Sequence, residues 1–155
     1  MKNWFLVLAV ILLSFRCGSP AVPDDSTHNN SNVMNTKYIK ITAGDTSFTA
    51  TLADNSSANA LWEYLAGGDV RIDMEDYAGM EKVGPLGITL PRNDSSIHTG
   101  PGDLILYQGN QFVIYYGTNS WSLTRLGKIE NVSGEELLAA LGRGGISVTL
   151  SVLRP

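Results

Sequence analysis

From residue 77 onward the chain carries Tyr77, Tyr107, Tyr115, Tyr116 and Trp121, with Glu81 and Arg125 among them. Side chains that join a large apolar body to one polar handle commonly line pockets and partner surfaces. A ligand site is therefore expected at Tyr77, Glu81, Tyr115, Trp121 and Arg125. Tyr115 and Tyr116 are neighbours, so in a strand they point to opposite faces and only one of them can reach a given cavity. For each of these residues, core packing or plain exposure is the alternative.

Other chemistries find less support. Asp73, Glu75 and Asp76 are the only acidic group, with Asp73 and Glu75 on one strand face. Such a pair suits a hard cation or acid–base work, but a solvated strand edge accounts for it equally well. After residue 37 there is one histidine, His98, and no cysteine, so neither a zinc site nor any other metal or cofactor is expected. No Gly-x-Ser-x-Gly elbow occurs. Gly67-Gly68 and Gly144-Gly145 lack the context of a phosphate loop and read as a helix stop and a turn. The formal charge of −4 and the single spacing of the basic residues exclude a nucleic-acid groove.

The elements that must position these residues are mostly strands. Ile39 and Ile41 alternate with Lys40 and Thr42, Gly44-Asp45 marks a turn, and Phe48, Ala50 and Leu52 form the next apolar row. Asp54-Asn-Ser-Ser57 caps a helix whose stripe is Ala58, Leu61, Trp62 and Leu65. Val70, Ile72 and Met74 alternate again. Glu75 to Gly102 is rich in glycine and proline and reads as loop, with a short strand at Leu86 to Leu90. Asp103 to Gln108 and Gln111 to Tyr116 form a hairpin around Gly109-Asn110. Gly117 to Ser120 turns the chain into a strand from Trp121 to Ile129. Ser133-Gly-Glu-Glu136 is a capping box opening a second helix, and Ile146, Val148, Leu150 and Val152 alternate to the end. Seven or eight strands and two short helices suit a closed β-barrel with a helix across each open end, which leaves no free sheet edge. Tyr77 and Glu81 would then cover a barrel mouth.

The first 36 residues read differently. Lys2 precedes the apolar run Phe5 to Phe15. A helix of that length spans only ~16 Å, too short for a bilayer core but suited to a signal peptide, expected at 1–16. Cys17, the sole cysteine, follows directly and suits a lipidated first residue of a membrane-anchored lipoprotein. Arg16 is atypical just before such a cysteine, and cleavage after Ala21, giving a secreted or periplasmic protein, is the alternative. Residues 17–36, rich in Ser, Asn, Asp and Thr, form a flexible tether to a domain at 37–155. Contact with a membrane is expected only through the lipid anchor.

Tyr38-Ile-Lys-Ile41, the helix Asn59 to Leu65, Asp76 to Lys82, and above all Gly102 to Tyr107 through Phe112 to Gly117 to Arg125-Leu-Gly-Lys-Ile129 resemble the bacterial cyclophilin-like family. The resemblance covers Tyr38 to Leu153 and implies a cyclophilin-like barrel. Its motifs are structural rather than catalytic. Cyclophilins proper speed rotation about X–Pro bonds, whose barrier is ~20 kcal/mol, using an arginine and a pocket of aromatic, glutamine and histidine side chains. Arg71, Arg125, Gln111-Phe112, Trp121 and His98 are of those types, but the Phe-His-Arg strand motif is absent. Gln111-Phe112 is better read as a strand start with one outward and one core residue. The expected function is a small-molecule or peptide binding module, with proline isomerase and a non-catalytic envelope accessory protein as alternatives.

Overall fold

A computed structural model describes residues 36–154. The expected signal peptide, the Cys17 lipidation site and the tether up to residue 35 lie outside the described residues. The order of elements is β1 (Tyr38–Ala43), β2 (Thr46–Leu52), α1 (Ser56–Ala66), β3 (Val70–Tyr77), β4 (Glu81–Pro85), β5 (Ser95–Thr99), β6 (Asp103–Tyr107), β7 (Gln111–Tyr115), β8 (Asn119–Ile129), α2 (Gly134–Leu141) and β9 (Ile146–Leu153).

Eight of the strands close a ring. The antiparallel order β2-β1-β9-β3-β4-β7-β6-β8 returns to β2 through Ala50 opposite Ile129 and Leu52 opposite Gly127. Closure requires a glycine at 127, because a Cβ there would stand 2.3 Å from the Thr51 carbonyl oxygen. β5 stands outside the ring and pairs only with the first half of β8, Ser95 to Thr99 against Leu123 to Asn119. The ring thus has eight strands, within the seven or eight expected for the barrel, and the described residues add a ninth, β5, that stands outside it.

The ring encloses a continuous apolar core, as the alternation in the sequence requires. Ile39, Ile41, Leu104, Leu106, Ile114, Val148 and Leu150 are all fully buried in one cluster. The helices complete it from opposite ends of β7. α2, entered through the Ser133–Glu136 capping box, begins beside the Tyr116 carbonyl and contributes Leu137 and Leu141. α1, capped by Asn55 at the Ala58 amide, contributes Ala58, Leu61 and Leu65. Ser57 of α1 hydrogen-bonds the Pro91 carbonyl, and the segment before Pro91 is bonded to the hairpin turn at the other end of β7.

The stretch from Glu75 to Gly102 departs from expectation. It contains the end of β3 and all of β4 and β5, whereas Leu86 to Leu90 is not a strand. Leu86 and Leu90 are instead the buried ends of a loop whose amides donate to Asn110 and Gly109 carbonyls at 2.8 Å each.

A smaller apolar cluster lies on the outside of the ring. Ile105, Val113, Tyr115 and Leu123 are buried there, with Val83 and Ile97 against them. Val83, Ile105, Val113 and Tyr115 are outward residues of β4, β6 and β7, and Ile97 and Leu123 come from the β5–β8 extension that covers them.

Candidate functional site

Beside this outer cluster the structure has a cavity of about 520 Å³, within the range of small-molecule sites. Its floor follows from strand register. Tyr77, Glu81 and Tyr115 form one row across β3, β4 and β7. Val83, Val113 and Ile105 form the next row inward, and Gln111 pairs with Tyr107 in the last. Opposite the floor stands β8, whose alternate residues Asn119, Trp121 and Leu123 face the cavity. The barrel interior is filled, so the site is on the outer face rather than at a barrel mouth, which corrects the expectation for Tyr77 and Glu81.

Two hairpin turns place the aromatic rims. Tyr77-Ala-Gly-Met-Glu81 joins β3 to β4, and Tyr107-Gln-Gly-Asn-Gln111 joins β6 to β7. In each, two successive residues have positive φ: Ala78 and Gly79 at 52° and 63°, Gln108 and Gly109 at 51° and 81°. In each, the fourth residue's amide donates to the tyrosine carbonyl, Met80 to Tyr77 at 3.1 Å and Asn110 to Tyr107 at 3.3 Å. Positive φ at both central positions is the backbone sign of turns that match strand twist. The expected two-residue loop Gly109-Asn110 is therefore a three-residue loop starting at Gln108. Because β4 and β7 are antiparallel neighbours, the two turns lie at opposite ends of the floor, each bringing one tyrosine and one acid or amide to the rim.

The electrostatics centre on Glu81. Its side chain is nine-tenths buried, and one carboxyl oxygen, Oε2, has neither solvent contact nor a hydrogen-bond partner. Burial pushes its carboxyl above the usual carboxylate range, against a hydrogen bond to Tyr115 that pulls the other way. Tyr115 is pushed up to about 12, first by burial and then by Glu81, while Asn119 Nδ2 donates to its hydroxyl at 3.2 Å. An unpartnered buried carboxyl oxygen costs free energy on its own, on the order of 1–3 kcal/mol.

The candidates named from sequence separate here. Tyr77, Glu81, Tyr115 and Trp121 line the cavity together, Tyr77 and Trp121 with more than half of their surface free. Arg125 does not. It lies on the outer face opposite Ile105, but its guanidinium turns to Asp103, a buried carboxylate that also takes Lys128 at 3.2 Å and the Gly100 amide at 2.9 Å. Tyr116 points inside, where its hydroxyl donates to Asp76 at 2.5 Å. His98 is exposed and bonded to Ser120, and Arg71 is paired with exposed Asp73. Asp73 and Glu75 gather no third ligand: among the described residues no group of three or more His, Cys, Asp or Glu side chains could hold a metal ion. Gln111 lines the cavity while Phe112 is fully buried in the barrel core, one outward and one inward.

Sequence reading passed over Asn119, Met80 and Val113. Asn119 had a usable signal, since Asn119, Trp121 and Leu123 alternate with serines at period two. So did the doubled Tyr-x-Gly-x-Glu/Gln pattern.

The comparisons with known proteins agree with this architecture. A solved structure of similar fold is the solution structure of the hypothetical protein AF2241 from Archaeoglobus fulgidus, with a TM-score of 0.57 and 12% identity over 76% of this chain and 95% of the archaeal one. No curated protein matches the sequence. A family model described as the cyclophilin-like family matches residues 41–151, from within β1 to within β9, and spans both the barrel and the cavity. On that match, the chain belongs to the cyclophilin-like family.

Proposed function

We propose that the domain is a binding module for a small molecule or short peptide, seated in the outer-face cavity. The observation that carries this reading is the pairing of a buried, unpartnered carboxyl oxygen with exposed aromatic faces around one concave space. Apolar side chains alone would have closed on each other, and a structural carboxylate would have found donors, as Asp103 does. The family match extends over these residues without assigning them a ligand.

The proline-isomerase reading has weaker support. That chemistry needs a cation to polarise the amide, and no lysine or arginine is among the residues lining the cavity. A protease-coupled proline-peptide assay tests it. No turnover is expected, and turnover abolished by Arg71→Ala or Arg125→Ala would replace the binding reading. Binding itself is tested by a thermal-shift screen of small amines, alcohols, acids and dipeptides on the wild type and on Trp121→Ala. Stabilisation that Trp121→Ala weakens supports the module. If no compound stabilises the protein, the reading falls.

The cellular setting belongs to the same proposal. Residues 1–16 have the charge and apolar length of an export signal, and Cys17 stands where a lipid anchor would attach. An exported domain displayed beyond a tether is the reading these residues support, whether it acts as a ligand receptor or as an envelope accessory protein. Intact mass of the mature protein decides between a lipidated Cys17 and cleavage after Ala21.

A further inference from the structure

The cavity is not chemically uniform, and its polarity narrows what it can hold. Deepening the binding reading, on which this inference rests, we propose that the ligand is a small organic ammonium ion: its charged nitrogen sits at Glu81, its apolar body over Val83, Val113 and Leu123, and any uncharged polar end towards Gln111 and Tyr107.

Three observations lead there. First, the Glu81 end holds the one buried side-chain polar atom of the cavity lining that has no hydrogen-bond partner. Glu81 Oε2 is unbonded and closed to solvent, so a ligand reaches it only when the carboxyl group turns toward the cavity that Glu81 lines, and an ionised carboxylate is an acceptor only. The matching group must donate, and a positive charge matches it best where solvent is excluded. Secondly, the residues beside and facing Glu81 in the cavity lining are aromatic rather than cationic. Tyr77 and Tyr115 flank Glu81 in the same row, and Trp121 stands on the facing strand. The faces of Trp and Tyr attract ammonium groups, and no basic side chain lines the cavity to compete. The nearest lysine in sequence, Lys82, leaves β4 by the opposite face and is bound to Asp76 and the Gly144 carbonyl. Thirdly, the rows are graded. From Tyr115 through Val113 to Gln111 the floor runs from acid to apolar to neutral amide, a length of roughly 13 Å at strand rise. That span suits an amine with one ring or a short chain, and an anionic ligand would meet the Glu81 carboxylate with nothing to offset it.

The test uses three probes of one shape on the full-length protein: phenethylammonium, 2-phenylethanol and phenylacetate. Binding is measured by calorimetry at neutral pH, with amide and indole chemical shifts reporting the site. The ammonium ion is expected to bind about tenfold or more tightly than the alcohol, as a desolvated charge pair with cation–π contact implies. Phenylacetate is expected to bind weakest, with shifts at Glu81, Tyr115, Asn119 and Trp121 for the ammonium ion. Glu81→Gln is expected to weaken the ammonium ion about tenfold or more and the alcohol by much less, so that the two bind alike. If the alcohol or phenylacetate matches the ammonium ion on the wild type, the cation assignment is overturned while the cavity reading stands. If none of the three binds and no shift moves at the cavity, this inference is overturned too, and the outcome of the wider compound screen then decides the binding reading separately. The comparison of probes on the wild type holds whether or not the variant folds.

Discussion

Glu81 and Lys82 are adjacent on β4 and leave it by opposite faces, and the two buried charges meet different fates. Lys82, fully buried, enters the barrel, where it meets Asp76 at 3.0 Å and the Gly144 carbonyl at 2.7 Å, with Tyr116 completing the Asp76 shell. Glu81 goes outward to the cavity wall and keeps one oxygen unpaired. Strand alternation alone produces this division. It gives the barrel one satisfied polar cluster and the cavity one unsatisfied group, and each makes a separate prediction about stability.

Glu81→Gln is expected to raise stability at neutral pH by on the order of 1 kcal/mol, since it removes a carboxylate one of whose oxygens is held out of water without a partner. The pH dependence has a definite sign. Burial raises the folded carboxyl above 4.5, so above that pH the unfolded chain releases a proton that the folded protein retains. The contribution of this group is therefore full below 4.5 and declines as pH rises through the folded value. Urea midpoints taken across acid and neutral pH should show that decline in the wild type and a flatter profile in the variant. A variant less stable than the wild type at neutral pH would contradict the unpaired state of Oε2.

The inward pair behaves in the opposite sense. Asp76 is held below 3.8, first by the Tyr116 hydroxyl and then by Lys82, so its contribution is full above 3.8 and is lost as pH falls through the folded value. Its partners are unequal in exposure, Lys82 having none and Asp76 keeping 28% of its side chain in contact with solvent. Asp76→Asn strands a buried ammonium and is expected to cost about 3 kcal/mol. Lys82→Met leaves a carboxylate that still has Tyr116 and water, and should cost clearly less. Equilibrium unfolding of the two variants checks the order, which is the informative quantity.

How much of this was legible in the sequence depends on the face each residue serves. Strands that bury one face inside the ring, such as β1 and β9, show their alternation directly in Ile39, Ile41, Val148 and Leu150. Both helix caps were readable because Asn55 and Ser133 act through local bonds. β4 was not legible. Its sequence Glu-Lys-Val-Gly-Pro has two buried charges and a glycine at 84, where a Cβ would stand 2.5 Å from the Asp73 carbonyl oxygen, so the tight packing that makes it a strand also erases the apolar pattern. β5, Ser-Ser-Ile-His-Thr, contributes one apolar side chain and owes its form to pairing with β8. The site was half visible for a related reason. Residue type pointed to Tyr77, Glu81, Tyr115 and Trp121, but only the register across β3, β4 and β7 sets them in a row. Arg125 looked equivalent in type, and its commitment to Asp103 depends on a pairing 22 residues away in sequence.

Ring closure through Gly127 makes a sharp prediction. Gly127→Ala forces a methyl group against the Thr51 carbonyl and the Leu52 backbone, at the point where β2 meets β8. Neither neighbour is a flexible side-chain end, so the strands must separate. A loss of about 1–3 kcal/mol is expected from this overpacking. Amide exchange should rise at Ala50 to Leu52 and at Gly127 to Ile129 ahead of β3 and β9. Unchanged stability would mean that the β2–β8 seam does not close the barrel.

The cavity wall has its own test, because β5 and the first half of β8 stand off the ring and are held by the outer cluster. Leu123 is 3% exposed and packs with Ile105, Val113 and Tyr115, whereas Trp121, two residues earlier on the same face, is 62% exposed. Leu123→Ala removes a packed side chain and is expected to cost about 2–3 kcal/mol, with early loss of β5 amide protection. Trp121→Ala removes little buried area and should stay within about 0.5 kcal/mol of the wild type, as exposed substitutions do. An exposed ring that contributes so little to folding stays available for the proposed ligand contact. If Trp121→Ala instead destabilised the protein as much as Leu123→Ala, the indole would be a structural lid on the outer cluster. The face that it presents to the cavity would then already be occupied by the protein itself.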